Sequence, residues 1–387
     1  MMKTGYSRFP SVFAIAEYNG EIIAAGNYGG IGQANLIARW DGSTWHPFST
    51  GSYSGTIRDL AVYNGSLYAV GNIQQLGGAA ILDIGRWDGS SWFPVCSLSL
   101  GLSQLFAAEV FTNELYIGGY FSSLNGSPMY NMAKFDGTTW SSVGGGVIGD
   151  VIKLYADTVN NRLYTCGNIV SVNGGATPCP SNVAYWDGVT WTPVGNGPAL
   201  YHEAVFVFKN QLYIGTNWPT AQITNSGDSI YGIARWDGTD WKPLGKGMKY
   251  IDTNGTVYPA SVHAFALLNN ELVVGGGFTH AGDTAANRIA SWDYTPVSLN
   301  ELSNQSEKIK IIPNPFSQTA VVQIPETWQK HLPCNFKMHD SSGKTVFQTK
   351  ATTLEFLISK KKLQPGLYLY KLTLGNAEIG TGKVIIE

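Results

Sequence analysis

A guanidinium, two carboxylates and two imidazoles stand where they could orient a polar ligand or move a proton: Arg58, Asp59, His202, Glu203 and His263. Little else in the chain offers chemistry. No CxxC, HxH or HExxH spacing is present, and His46, His202, His263 and His280 share no ligand spacing, so neither a metal nor a cofactor is expected. No GxSxG elbow or phosphate loop appears, and no catalytic residue is assigned. Asp228 in NSGDS and Asp283 in HAGDT could ligate calcium, although such text is more often a plain loop. Cys166 and Cys179 lie close enough in sequence to share a sheet and to pair, while Cys96 and Cys334 read as buried thiols.

The elements that must position these groups are repeats. IARWDGSTWHPF at residue 37 returns as IGRWDGSSWFPV at 84 and IARWDGTDWKPL at 233. Six anchors follow: Trp40-Asp41-Gly42, Trp87-Asp88-Gly89, Phe135-Asp136-Gly137, Trp186-Asp187-Gly188, Trp236-Asp237-Gly238 and Trp292-Asp293. Their period, about 50 residues, is that of a four-stranded propeller blade. Each unit reads as a meander. VFAIAEY is a first strand and EIIAAGN a second, joined by Asn19-Gly20, a pair that tolerates the positive φ of a tight hairpin. LIARW is a third strand, Asp-Gly a second turn, and TWHPF a short fourth strand. Pro47, Pro94, Pro193 and Pro243 fall in that fourth strand, which must be an edge because proline cannot donate to a ladder.

Ten of the twelve tryptophans belong to the repeated pair around Asp-Gly. Recurrence at one position in every unit favours packing over sugar stacking, and makes the aspartates turn formers. Recognition is then expected where the units differ. Those places are the loops between second and third strands and the glycine-rich crossings VGGGVIGDV, VGNGPALYHE and LGKGMKYIDTNGTVYPAS. Counting back from the second strand puts Phe13, Arg58, Phe106, Leu154, Glu203 and His263 in one column at the mouth of a central channel. Arg58, Asp59, His202, Glu203 and His263 are therefore the candidate ligand-binding set, with a merely hydrated channel as the plainer alternative.

Charged residues are only 13% of the chain and the formal net charge is −2, which gives no reason to expect nucleic acid as a partner. No run of 18 apolar residues could span a bilayer as a helix. The first residues, MMKTGYSRFPSVF, contain no apolar signal-peptide core.

After Asp293 the text changes. YTPVSLNELSNQSEK reads as a linker, and short alternating strands broken by Pro-Asn-Pro, Ser-Ser-Gly and Gln-Pro-Gly turns read as a small Ig-like β-sandwich. Pro313-Asn314-Pro315-Phe316, Asp340 to Gly343, Gly366, Tyr368 and Gly382-Lys383-Val384-Ile385 carry a resemblance. In order, spacing and terminal position they resemble the type A carboxy-terminal sorting domain of the type IX secretion system, found in Bacteroidetes-type bacteria. The resemblance implies export to the cell surface or medium, with the secretion machinery as partner. It also implies an amino-terminal signal, which suggests a truncated amino end. The repeats are loosely similar to kelch-like propellers through Gly118-Gly119 and Gly275-Gly276.

The expected architecture is all-β: a six-bladed β-propeller over residues 1–295, with seven blades as the alternative, a linker over 296–308, and the sorting sandwich over 309–387. The expected role is extracellular binding or adhesion, with an unknown protein or glycan ligand. A polysaccharide-active hydrolase or lyase and a purely structural surface protein are the alternatives.

Overall fold

In the computed structural model of the chain, each of the first five repeats forms an antiparallel sheet whose four main strands lie in chain order, and the sixth forms one of three. The structure describes residues 11–31, 34–96, 98, 104–197, 201–217, 222–223, 227–292, 309–340, 344–361, 363–374 and 377–387. The first sheet is Val12–Tyr18, Glu21–Ile31, Ala34–Trp40 and Trp45–Pro47. The sixth is Val262–Leu268, Glu271–Gly276 and Ile289–Trp292. The stretch after Trp292, including Asp293 and the expected linker, lies outside the described residues, as do residues 1–10. First strands of successive sheets pack on each other in chain order, so they are the innermost, and the proline-bearing fourth strands are the outer edges. This is a propeller-like all-β arrangement.

The turns follow from their residues. Asn19 and Gly20 have φ of 52° and 79°, and Asn64 and Gly65 have 47° and 73°, both positive as a two-residue hairpin requires. In the second turn Asp41 Oδ1 accepts from the backbone N–H groups of Ser43 and Thr44 at 2.8 and 2.9 Å. Asp88, Asp136, Asp187 and Asp237 do the same. These bonds favour the ionised form and hold every one of these carboxyls below the usual range, Asp237 at about 2. The aspartates of the repeated string are turn builders.

Its aromatic residues are mortar. Trp40 and Trp45 are cross-strand partners with ring centroids 5.4 Å apart, and Trp186–Trp191 and Trp236–Trp241 repeat this at 5.5 and 5.3 Å. Each later pair also receives the unit before it. Phe48 lies 5.1 Å from Trp87 and 5.6 Å from Trp92, and Trp191 Nε1 donates to the Val143 carbonyl at 2.9 Å. The glycine-rich crossings serve this contact. A β-carbon on Gly144 would fall 2.4 Å from Trp186, and one on Gly245 3.3 Å from Trp292. The expectation that these crossings are recognition loops is therefore corrected in part, because their first glycines make room for the next unit's indole.

Residues Thr295–Glu387 form a separate compact unit. Seven strands make two sheets: Lys310–Ile312, Thr319–Gln323 and Glu355–Ser359 in one, and Cys334–His339, Thr345–Ala351, Gly366–Leu374 and Ala377–Ile386 in the other. Phe336, Val322, Leu372 and Val384, all fully buried, fill the space between them. The only helix among the described residues is the 3-10 segment Glu326–His331.

Candidate functional site

Every innermost strand of the repeats carries a β-bulge near its start. The register slips at Phe13, Arg58, Phe106, Ile152, Glu203 and His263. Opposite each bulge, in the second strand, stand Gly26, Gly71, Gly119, Gly167 and Gly276, and Thr216 in the fifth unit. Glycine is required there because the bulged backbone comes so close. A β-carbon on Gly71 would lie 2.2 Å from the Thr56 carbonyl oxygen, and one on Gly276 2.1 Å from that of Ser261. A bulge re-aims a side chain, and here it does so at one level in all six units. The expected column was right at five positions. In the fourth unit Leu154 is a core residue and Ile152 holds the place, because that hairpin has a four-residue turn, Thr158 to Asn161, where the others have two.

Neighbouring bulged residues meet in two places. The Arg58 guanidinium lies 4.7 Å from the centroid of Phe13 and 5.9 Å from that of Phe106. Glu203 and His263 pair through Oε2 and Nδ1. The other oxygen of Glu203 accepts from Asn217 Nδ2 at 2.5 Å, and His263 Nε2 lies 2.8 Å from Ser261 Oγ. A carboxylate only accepts, so Nδ1 is the donor of that pair, and Nε2 faces the serine hydroxyl. Tyr201 stands near Glu203, Asp150 and Arg58, and burial raises its phenol.

Two of the five expected residues go elsewhere. His202 is fully buried on the far side of the bulge, where Nε2 donates to the Ser181 carbonyl at 2.9 Å and burial depresses the imidazole to about 4. It cannot meet a ligand. Asp59 is also buried. Its oxygens accept from Leu60 N at 3.0 Å, from Ala108 N at 3.3 Å and from Lys153 Nζ at 2.9 Å. With Glu17, Glu109 and Lys153 it lines a cavity of about 360 Å³ among the innermost strands of the first four units. Burial raises the Glu109 carboxyl to about 7, and the charge of Asp59 adds to the effect. Sequence reasoning missed Asn217, Ser261, Glu109 and Lys153. Ser261 alone had a readable signal, since it stands two places before His263, just ahead of the strand, and extended backbone puts alternate residues on one face.

The variable face also bears exposed aromatic residues: Tyr120, Tyr130, Tyr250 and Tyr258. The proposed calcium ligands are matched with lysines instead. Asp228 lies 3.8 Å from Lys242 Nζ, and Asp283 pairs with Lys246 and Lys249. Cys166 and Cys179 are free and pack in different core clusters.

In the tail, the two ends of the expected motif meet. Asn314 Oδ1 accepts from Ile385 N at 2.8 Å, and Asn314 Nδ2 donates to the Lys383 carbonyl at 3.3 Å. Phe316, 2% exposed, continues the clamp with backbone bonds to Ile385 and Glu387 of 3.1 and 2.9 Å. Gly382 lies against the Tyr370 ring, and Tyr368 Oη donates to the Gln364 carbonyl at 2.8 Å. Gly343 lies outside the described residues. Residues 310–387 match the family model of the secretion system C-terminal sorting domain. The tail is a type IX secretion sorting domain. It marks the chain as secreted or displayed at the cell surface, and as cargo of that machinery.

No curated protein matches the chain. Among solved structures it is similar to PorZ, a surface component of the type IX secretion system of Porphyromonas gingivalis. That match has 13% identity and a TM-score of 0.42, over 97% of this chain and 59% of PorZ. It is similar also to the extracellular domain of a putative hybrid two-component system of B. thetaiotaomicron (9%, TM-score 0.43, 98% of this chain and 57% of that one). A third is the Niastella koreensis GH74 enzyme (17%, TM-score 0.42, 68% and 40%). The chain thus spans less than two thirds of each of these proteins.

Proposed function

We propose that residues 1–295 are an extracellular recognition module that binds a glycan or protein at the channel mouth, and that residues 296–308 link it to the sorting tail. The observation that carries this reading is the bulge column. The same backbone device recurs in every unit, and two of the bulged residues, Glu203 and His263, are joined in a polar cluster with Asn217 and Ser261. Polar groups fixed beside stacking surfaces suit a saccharide, and the exposed tyrosines on the same face extend such a surface. A glycan array probed with the whole chain tests the reading. Saccharides bound by the native chain and lost by Glu203→Gln/His263→Ala support it, and binding that survives that double change contradicts it.

A second reading, an extracellular hydrolase acting on polysaccharide, has its own observation. Ser261, His263 and Glu203 stand in the order nucleophile, base and orienting acid. The neighbouring backbone donors are already used: Gly277 N bonds the Ser261 carbonyl, and Gly276 N that of Arg288. Neither is left to stabilise an oxyanion, which favours the binding reading. Hydrolysis of p-nitrophenyl acetate that falls to background in Ser261→Ala would reverse that preference.

A further inference from the structure

Among the described residues, only the crossing from the fifth to the sixth unit builds a hairpin of its own, Met248–Ile251 paired with Val257–Pro259. Asp252 closes its turn, accepting from the backbone N–H groups of Asn254 and Thr256, each at 2.9 Å. Met248 is buried and plants the hairpin in the core. On its other side Met248–Ile251 pairs with His280–Ala281, and that strand pairs with Thr284–Ala285. Crossing and loop thus make one four-stranded sheet. The sheet is pinned to the fifth unit where Met248 N donates to the Tyr231 carbonyl, and to the loop where Gly282 N donates to the Gly247 carbonyl, both at 2.8 Å. Gly247 is required under Tyr231, since a β-carbon there would fall 2.4 Å from the Tyr231 carbonyl oxygen. The symmetry of the repeats is broken here by a hydrogen-bonded element, not by a longer loop.

Beside this sheet lies a cavity of about 270 Å³, lined by Ser229, Tyr231, Gly245, Lys246, Lys249 and Val257. It is smaller than the roughly 300–1,000 Å³ of pockets for drug-sized ligands, so it admits a single ring. Its lining holds two amines and no carboxylate. The side chain of Lys249 is only 17% exposed, and its amine lies 5.9 Å from the centroid of the Tyr231 ring. Among the described residues, the carboxylate that meets both amines is that of Asp283, on the turn between His280–Ala281 and Thr284–Ala285. It pairs with Lys246 through Oδ2 and stands 3.8 Å from Lys249 Nζ through Oδ1. Asp283 is exposed, and an ion pair of this kind holds weakly. Two amines therefore share one loosely held carboxylate at the edge of a one-ring cavity. We propose that this cavity binds an acidic saccharide: the carboxylate of a uronic acid ring takes the two lysines in place of Asp283, and the Tyr231 ring and Ser229 hydroxyl hold the sugar. None of these residues belongs to the cluster at the channel mouth, so the assignment does not rest on the reading of that cluster.

Calorimetric titration of the whole chain with oligogalacturonate, with its methyl ester and with poly-glutamate tests this. The acidic sugar should bind. The ester, which keeps the rings and loses the charge, and the peptide, which keeps the charge and lacks the rings, should each bind about tenfold more weakly or worse. Lys246→Gln and Lys249→Gln, with unchanged circular dichroism spectra, should each lose about tenfold or more in affinity for the acidic sugar. Asp283→Asn should bind it more tightly, because the variant removes a competitor for the same amines. Glu203→Gln/His263→Ala should bind it as the native chain does, and loss in that double variant would move the acidic sugar to the channel mouth and overturn the proposal. Absence of binding, equal binding of the ester or of poly-glutamate, or weaker binding by Asp283→Asn would overturn it equally.

Discussion

Gly195 lies so close to the indole of Trp236 that a β-carbon added to it would meet the ring at 2.1 Å. The glycine ends one unit and the tryptophan belongs to the next, so the contact joins two sheets. Gly195→Ala is expected to lower stability by about 2–4 kcal/mol, adding overpacking to the strain of its φ of +62°. Gly20→Ala, with φ +79° and open space around it, carries the backbone strain alone and should cost about 1–2 kcal/mol. Urea unfolding of both variants checks this, and equal losses would show that the indole contact contributes nothing.

His202 gives the repeats an acid-sensitive point. Its folded-state proton affinity is depressed to about 4 because the charged ring has no water. The unfolded chain takes up that proton near pH 6.5, so stability is complete above that pH and falls as pH drops towards 4. The full loss is about 3 kcal/mol. His202→Gln should flatten the fall between pH 7 and pH 4.5 in urea melts, and a slope unchanged by the substitution would assign the acid sensitivity to other groups.

The turn aspartates act lower on the scale. Their folded-state affinities lie below the ordinary carboxyl value, so the stability they lend is present above about pH 4. It fades as pH falls through the folded values. Asp136→Asn should therefore lower the melting temperature at pH 6 and have progressively less effect towards pH 2, as read by thermal melts.

In the tail, Asn314→Ala removes the acceptor of Ile385 N and strands that donor beside the last strand. A loss of about 1–3 kcal/mol is expected. Phe316→Ala, which empties a buried site, should cost about 3–5 kcal/mol. Limited proteolysis should then cut the carboxy-terminal strand sooner in both variants than in the native chain.

The repeats were legible because their turns are chemically explicit: Asn-Gly and Asp-Gly demand positive φ, and proline marks the free edge. The tail was legible from a motif whose parts prove to touch. The mouth was legible only in part. Simple strand alternation cannot show a bulge, so Asp59 and His202 looked like companions of Arg58 and Glu203, although each side chain is buried inside the fold. The glycine four places beyond the second-strand leucine or isoleucine, present in five of the six units, was the missing sign, since only a close backbone explains it. The crossings misled for a related reason. Gly144, Gly195 and Gly245 look like loop residues until the indoles above them are seen. Nothing in the text marks Ile22 as exposed, because its buried counterparts Leu67, Leu115, Leu163, Leu212 and Leu272 are aliphatic too.

Under the proposed function, what the units share is scaffold and what differs at the bulges recognises a ligand. Calorimetric titration of a saccharide taken from the array measures this directly. Arg58→Ala and Glu203→Gln should each weaken affinity by tenfold or more, and Asp136→Asn, in a shared turn, should leave it unchanged. Equal affinity in the bulge variants, with loss in the turn variant, would contradict it.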